Sequence, residues 1–200
     1  KFVLTRHEQN AAHEADGYAR ATGKPAAVLV TSGPGAANTV TGIMTAYMDS
    51  VPMIVITGQS VRGMLGKDAF QEADIFNLTM PIVKHSYLLK SANDIPRVVK
   101  EAYHIATTGR PGPVLIDVPK DVGTELCTAA LDAEMNLPGY KPEKRGYLPE
   151  TLDFIADALA KAKRPVIIAG HGAALSRAEK ELRELAEKLQ IPVTSTLLGK

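Results

Sequence analysis

Apolar residues occur along this chain in two alternating patterns. Short runs of mostly apolar and β-branched residues, which are typical of buried strands, occupy residues 2–4, 27–30, 53–57, 114–118 and 166–169. Helical stretches are indicated between them, at residues 36–48, 95–106, 152–159 and 178–189, and residues 191–193 begin a further strand. Strands that alternate with helices predict an α/β protein with a mostly parallel, doubly wound sheet.

The alternation stops near residue 123 and restarts near residue 150. Proline and glycine punctuate the stretch between, which predicts a linker over residues 123–149. We therefore expect one domain over residues 1–122 and the start of a second, incomplete α/β domain over residues 150–200. The chain begins with Lys1 inside a strand-like run and stops as another strand ends. We expect it to be a fragment of a longer protein and to be inactive alone.

Composition narrows the classes of function. The chain carries 23 Lys and Arg against 22 Asp and Glu, so nothing points to nucleic acid or a membrane surface. No apolar run reaches the roughly 18 residues of a spanning helix. The single cysteine, Cys127, excludes an internal disulfide framework and fits a reducing compartment. The expected location is the cytoplasm, with plastid and mitochondrion left open because the native N-terminus is not in view.

One carboxylate, Glu8, stands where the first apolar run gives way to a helix. Its ordinary interpretation is a first-turn acid that complements the helix dipole, worth ~0.3–1 kcal/mol. The alanines at positions 11, 12, 15 and 19 instead favour a helix that lies close to a neighbour, with its start buried at an interface. A buried carboxylate has a raised pKa and can share a proton with a ligand nitrogen. His7 and His13 lack the spacing of a zinc pair on one helix face.

Several later residues follow predicted strands, where loops often carry function. The turn at residues 33–35 lacks the spacing of a dinucleotide motif and the Lys-Ser/Thr of a phosphate loop, so it suits a flat ring as well as a phosphate. Residues 66–72 are either a helix entry with Asp68 as N-cap or a mobile active-site loop. Lys120 is either a solvated lysine or a cation for an anionic ligand, and Arg110 can serve as a helix C-terminal cation.

Six short motifs occur in a characteristic order along the chain. They are Arg6-His7-Glu8-Gln9, Gly17-Tyr18-Ala19-Arg20-Ala21, Thr31-Ser32-Gly33-Pro34-Gly35, Asp68-Ala69-Phe70-Gln71-Glu72, Gly109-Arg110-Pro111-Gly112-Pro113 and Pro119-Lys120-Asp121. In order and spacing they resemble the acetohydroxyacid synthase (acetolactate synthase) family of thiamine-diphosphate enzymes. The resemblance covers almost the whole chain. It implies a pyrimidine-binding domain followed by the start of a central FAD-binding domain.

The resemblance implies catalytic roles for four residues. Glu8 matches the glutamate that hydrogen-bonds N1′ of the thiamine-diphosphate aminopyrimidine and so supports removal of the proton from thiazolium C2. Phe70, Gln71 and Lys120 match residues that line the approach of the substrate. The implied reaction is decarboxylation of pyruvate and its ligation to a second 2-keto acid, which gives acetolactate or acetohydroxybutyrate in branched-chain amino-acid biosynthesis.

The resemblance also implies cofactors and partners. The positions matching the turn beside the pyrimidine are Pro34, Gly35 and Asn38. The positions matching FAD contacts are Arg110, Gly170, Gly172, Thr196 and Leu197, although Gly170-His171-Gly172 departs from the family's glycine triplet. Mg²⁺ is implied as well, but its ligands belong to a diphosphate domain outside this sequence, so no residue here is assigned to a metal. We expect a homodimer or homotetramer, with a small regulatory subunit as a candidate partner.

Two other interpretations stay open. One is another thiamine-diphosphate lyase, such as a catabolic acetolactate synthase without FAD or a related decarboxylase or transferase. The other is a non-catalytic cofactor-binding paralogue, against which the joint presence of Glu8, Gln71 and Lys120 speaks. Flavin absorbance of the full-length protein separates the FAD-containing enzyme from the FAD-free branch.

Overall fold

The computed structural model describes residues 2–142 and 146–200. The chain divides into two compact units, with the boundary between residues 143 and 144. The first unit contains α1 (Glu8–Thr22), β1 (Ala26–Val30), α2 (Pro34–Ala37), α3 (Val40–Met48), β2 (Met53–Gln59), α4 (Ile75–Thr79), β3 (His85–Leu88), α5 (Ile95–Thr107) and β4 (Pro113–Pro119). Short 3-10 turns occur at Arg62–Met64, Met80–Ile82, Ala92–Asp94 and Val122–Thr124.

The first unit is built on a parallel sheet of four strands in the order β1-β2-β4-β3. Helices lie on both of its faces. Leu115 of β4 packs in the cluster that holds α1 and α3 residues, whereas its neighbours Val114 and Ile116 pack in the cluster with α5. This alternation follows from the two-residue period of a strand. The predicted doubly wound α/β fold is confirmed, and the carboxyl ends of the parallel strands meet at one edge of the sheet.

Helix α1 packs closely against α3 through small residues. A Cβ added to Gly42 of α3 would lie 2.4 Å from the Cβ of Ala12 in α1. Ala12, Ala15 and Ala19 are all buried within the unit. The alanine stripe therefore faces the unit's own core. These alanines do not support the subunit interface that we inferred from them.

Three local predictions differ from the structure. Residues 2–4 form no strand, and Phe2 is 97% exposed, because an apolar run needs a neighbouring strand to pair with and none of the described strands adjoins it. The helix predicted over residues 36–48 is two helices, α2 and α3, separated by Asn38 and Thr39. Strand β3 was not predicted, since His85–Leu88 is short and mixes polar with apolar residues.

The first part of the predicted linker packs on the first unit. Leu137 and Tyr140 contact the core cluster on the α5 side of the sheet. The backbone N–H of Asn136 donates to Oε1 of the buried Glu101 at 2.7 Å. The predicted linker up to residue 142 thus packs as part of the first unit. Residues 143–145 of that linker lie outside the described residues. The predicted domain limits stay a prediction.

The second unit contains two parallel strands and three helices. They are α6 (Pro149–Lys161), β5 (Ile167–Ala169), α7 (His171–Leu175), α8 (Glu179–Leu189) and β6 (Val193–Ser195), followed by a 3-10 turn at Leu197–Gly199. Its buried apolar residues are Ala169 and Ile191. Across both units, the described helices include none with the length and apolar character needed to cross a bilayer.

Candidate active site

The candidate site begins at the first residue of α1. His7 is the N-cap, and its Nδ1 accepts a hydrogen bond from the backbone N–H of Gln9 at 3.2 Å. This cap fixes where the helix starts and so directs the partly exposed side chain of Glu8. Glu8 Oε2 accepts a hydrogen bond from Nδ2 of Asn38, at 3.0 Å.

The environment of Glu8 shifts its acidity in the direction opposite to our expectation. The amide of Asn38 stabilises the carboxylate and lowers the pKa of Glu8, with smaller help from the helix backbone. We had expected burial to raise this pKa. In the unit by itself Glu8 lies at the rim, where loss of water is the weaker effect, and its burial at an interface stays a prediction.

The glycine turn after β1 lies directly against this carboxylate. A Cβ on Gly35 would lie 2.5 Å from Cγ2 of Thr31 and 3.2 Å from Oε1 of Glu8. Gly35 is buried, as the second residue of α2, and Pro34 is the first. The absence of a side chain at position 35 therefore lets the backbone and the carboxylate share one narrow space. Glu8, Gly35 and Asn38 are brought together as predicted.

The loop formed by residues 66–72, which follows β2 in the chain, lies against the same turn. Gly33 has a φ of +59°, and a Cβ there would lie 2.6 Å from the backbone oxygen of Gln71. No helix starts at Asp68, which has a φ of +53°, and Asp74 instead caps α4. Of the two interpretations of residues 66–72, the structure supports a loop. Phe70 is 89% exposed, and Gln71 is also exposed.

Lys120 lies at the same edge of the sheet, immediately after β4. Its backbone N–H donates to the carbonyl of Gln59, at the end of β2, at 3.0 Å. Its side chain is exposed. The next residue, Asp121, forms an ion pair with Arg62 at 2.7 Å. Lys120 therefore stands among the strand ends, without a described contact to Glu8.

Sequence reasoning missed a buried polar network beneath these loops. Asp117 of β4 is 1% exposed, and its two carboxylate oxygens accept hydrogen bonds from Thr57 Oγ1 at 2.7 Å and Gln59 Nε2 at 2.9 Å. Burial raises the pKa of Asp117 to about 6, against the opposing effect of these two hydrogen bonds. A signal was present in the sequence, because polar Thr57 and Gln59 continue the same face of β2 as buried Met53 and Val55.

Arg110, a predicted FAD contact, holds a helix end in the first unit. Its Nε donates to Oγ of Ser50 at 2.7 Å, and an Nη donates to the carbonyl of Met48 at 2.9 Å. These contacts satisfy the end of α3, which is the helix C-terminal role that the sequence also allowed, although here for α3 rather than for α5.

The other predicted FAD residues lie at the carboxyl ends of the strands in the second unit. Gly170 directly follows β5, and Gly172 is in α7. The backbone N–H of Thr196 donates to the carbonyl of Ala169 at 2.9 Å, and Leu197 is 85% exposed. Gly170, Gly172, Thr196 and Leu197 thus lie at the carboxyl ends of β5 and β6. Among the described residues, no group of three or more His, Cys, Asp or Glu is placed to hold a metal ion.

Comparisons with known proteins agree with this geometry. Residues 1–78 match the N-terminal TPP binding domain of thiamine pyrophosphate enzymes, and residues 152–200 match their central domain. Acetolactate synthase of Arthrospira platensis is 53% identical over 206 residues, which covers 100% of this chain and 35% of that protein. The acetolactate synthase large subunit of Lactococcus lactis is 53% identical, over 100% of this chain and 34% of that protein.

A third relative extends the range of organisms. The acetolactate synthase of Mycobacterium leprae is 50% identical over 100% of this chain and 32% of that protein. The chain thus spans about a third of the length of the curated relatives it matches. Because two family domains match in order and the identity extends over the full chain, the chain belongs to the thiamine pyrophosphate enzymes, in the acetolactate synthase family.

Proposed function

We propose that this chain is part of an acetolactate synthase that decarboxylates pyruvate and joins the product to a second 2-keto acid, in branched-chain amino-acid biosynthesis. One observation carries the proposal. The Glu8 carboxylate is held by the Asn38 amide against the glycine turn after β1. The names of relatives, which match over the full chain, support the same activity.

The site fits the pyrimidine of thiamine diphosphate. A flat ring needs exposed backbone and an acceptor for its ring nitrogen. Gly35 lets the turn lie directly beside the Glu8 carboxylate, because a Cβ there would contact both Thr31 and the carboxylate, and Pro34 and Asn38 expose the same turn. The lowered pKa keeps Glu8 as an acceptor at neutral pH. When bound, thiamine diphosphate supplies the electron sink that a 2-keto acid needs to lose carbon dioxide.

Each residue of the site then has a defined task. Glu8 holds and exchanges a proton at N1′ of the aminopyrimidine, and Asn38 fixes the orientation of the carboxylate. Phe70 and Gln71, exposed on the loop that covers Gly33, line the approach of the substrate. The ammonium of Lys120 attracts the carboxylate of the incoming 2-keto acid.

The remaining parts of the proposal concern the whole protein. FAD is held by Arg110, Gly170, Gly172, Thr196 and Leu197, and Mg²⁺ by residues outside this sequence. The protein acts as a homodimer or homotetramer, with a small regulatory subunit as a candidate partner. The partly exposed position of Glu8 at the rim of the unit supports a site completed by a neighbouring subunit or domain.

Activity of the full-length protein and of one isosteric variant tests the proposal. The protein should form acetolactate from pyruvate only with thiamine diphosphate and Mg²⁺. Glu8→Gln should reduce kcat about 10²–10⁴-fold, because an amide cannot exchange a proton with N1′ as a carboxyl group does. Hydrogen–deuterium exchange at thiazolium C2, followed by NMR, should slow in parallel.

The control is Glu14→Gln, an exposed residue of the same helix, which should keep full activity. Unchanged C2 exchange in Glu8→Gln with the cofactor bound would leave Glu8 as a structural helix-start acid. Decarboxylation without acetolactate, or activity in a protein that contains no flavin, would favour one of the other thiamine-diphosphate lyases.

A further inference from the structure

The loop that covers the glycine turn is shaped by its own glutamate. The carboxylate of Glu72 accepts hydrogen bonds from the backbone N–H groups of Gly66 and Ala69, the latter at 2.8 Å. These bonds lower the pKa of Glu72, so the group stays charged at neutral pH. They close residues 66–72 into a compact turn, but they do not attach that turn to the sheet.

Attachment to the sheet comes from Gln59, at the end of β2. Its Nε2 donates to the carbonyl of Ala73 at 2.8 Å, one residue beyond the closed turn. Its Oε1 accepts from the backbone N–H of Ser60 at 2.8 Å, which fixes the orientation of the amide. Gln59 is 7% exposed, so these bonds are shielded from competing water.

The same amide is held from below by Asp117. Nε2 of Gln59 donates to Oδ2 of Asp117 at 2.9 Å, while Thr57 occupies the other carboxylate oxygen. A hydrogen bond to a carboxylate is stronger than one between neutral groups. Asp117 therefore holds the Gln59 side chain in the one orientation that reaches Ala73.

The opposite contact of the loop is made by main-chain atoms. The backbone of Gln71 lies against Gly33, two residues before the carbonyl that Gln59 holds. A shift of Ala73 would therefore move Gln71 off the turn and change the direction of Phe70. The loop is thus located by one side chain of the sheet and by one close backbone contact.

We propose that Gln59 is a positioning residue for substrate binding, which acts by holding Ala73 so that the loop presents Phe70 and Gln71 beside the glycine turn. The effect on substrate rests on the proposed function, since it requires that these two side chains meet a 2-keto acid. The effect on the loop itself does not.

The test compares two buried substitutions in the full-length protein. Gln59→Met keeps the length of the side chain but releases both Ala73 and Asp117. Thr57→Val removes a hydrogen bond from the same carboxylate but leaves the loop anchored. Both variants should lose thermal stability. Only Gln59→Met should show faster amide hydrogen exchange in peptides that cover residues 66–73.

Kinetics separate positioning from general destabilisation. In Gln59→Met the KM for pyruvate should rise about tenfold, the change expected from one hydrogen bond, while half-saturation by thiamine diphosphate changes less than about twofold. In Thr57→Val both constants should stay near those of the wild type. Should Gln59→Met fail to fold, Gln59→Asn retains a buried amide but is too short to bridge Asp117 and Ala73, and it should give the same pattern.

Three results would decide against the proposal or against its premise. Wild-type exchange over residues 66–73 in a folded Gln59 variant overturns the anchoring role. So does an equal effect of Thr57→Val on exchange and on KM. If the wild-type protein makes no acetolactate, the proposed function fails, and the exchange comparison still decides whether Gln59 anchors the loop.

Discussion

At the scale of single residues, two carboxylates occupy opposite environments at the same end of the sheet. Glu8 is partly exposed, and the Asn38 amide lowers its pKa. Asp117 is buried, and burial raises its pKa to about 6 even though two side chains donate to it. Pairs of acids whose environments separate their pKa values commonly take different tasks. Here Glu8 is available to a ligand, while Asp117 organises side chains beneath the loops.

The raised pKa of Asp117 predicts a pH-dependent contribution to stability. Between its unfolded value of 3.8 and its folded value of about 6, the folded protein keeps a proton that the unfolded chain has lost. The free energy of unfolding should therefore fall as pH rises through this window, by about 3 kcal/mol from this group. Asp117→Asn removes the titration. Its melting temperature relative to the wild type should rise between pH 4 and pH 7.

The matched control for this experiment is Asp157→Asn, an exposed aspartate of α6. Asp157 lies in the second unit, so this variant shows the effect of an aspartate-to-asparagine change outside the Asp117 network. A flat difference for Asp117→Asn, measured by calorimetry, would mean that Asp117 titrates at an ordinary pKa in the folded protein.

The resemblance carried by the six motifs was enough to predict that Glu8, Gly35 and Asn38 lie together, and that Gln71 belongs to the same site. Convergence of strand ends does not explain the position of Glu8, because residues 2–4 form no strand. The direction of the Glu8 pKa shift could not be predicted, since it depends on which amide reaches the carboxylate. The Asp117 network was equally hidden. A polar residue in a strand becomes informative only when its partner on the adjacent strand is known, as with Thr57 opposite Asp117.

At the scale of elements, the parallel strands were the most predictable part of the fold. The mostly apolar runs of β1, β2 and β4 carry their own signal, which is clearest in β4, where six of the seven residues are buried. Strand β3 lies at one edge of the sheet and pairs with β4. Its structure depends on pairing with residues distant in sequence, such as that of His85 with Val114, which a local pattern does not contain. Likewise, the break between α2 and α3 occurs at Asn38, whose side chain hydrogen-bonds to Glu8, a residue distant in sequence.

Two helix glycines give an element-scale prediction with opposite signs. A Cβ at Gly17 of α1 would meet no heavy atom within 4 Å, whereas a Cβ at Gly42 of α3 would lie 2.4 Å from that of Ala12. Gly17→Ala should stabilise the fold by ~0.5–1 kcal/mol through reduced freedom of the unfolded chain. Gly42→Ala should destabilise it by ~1–3 kcal/mol, because α1 and α3 must move apart.

Thermal unfolding of the two variants measures both effects under one condition. A loss of stability in Gly17→Ala would show that this face of α1 is covered in the assembled protein. A neutral Gly42→Ala would show that the two helices are not as closely packed as described.

At the scale of the whole molecule, the two units differ in how fully they are packed. The first has buried clusters on both faces of its sheet. The second buries only Ala169 and Ile191 among its described apolar residues, and α6 buries none. Part of the second unit's surface is therefore available to a cofactor or to further protein. What covers this surface could not be predicted, because the groups that would cover it are not in this sequence.

The glycines near the strand ends of the second unit give a prediction for the proposed flavin site. A Cβ at Gly172 would meet nothing within 4 Å, whereas one at Gly199 would lie 2.3 Å from the carbonyl oxygen of Ala169. Gly172→Val should therefore lower the flavin content of the full-length protein, read from its absorbance, while the melting temperature of the flavin-free protein stays near the wild-type value. Gly199→Val should lower both. Wild-type flavin content in Gly172→Val would remove Gly172 from the FAD contacts.

The close approach of Gly33 to the backbone of Gln71 makes the position of the loop independent of the side chains that it exposes. The three heavy atoms nearest a Cβ at Gly33 all belong to the main chain of Gln71, so the fit requires glycine at position 33 but no particular side chain at positions 70 and 71. Substitutions there can alter selectivity without redirecting the loop, provided that residue 71 tolerates a φ of +55°. Under the proposed function, the loop can keep its position while the substrate preference changes, and libraries at positions 70 and 71 are the natural route to new 2-keto acid specificities.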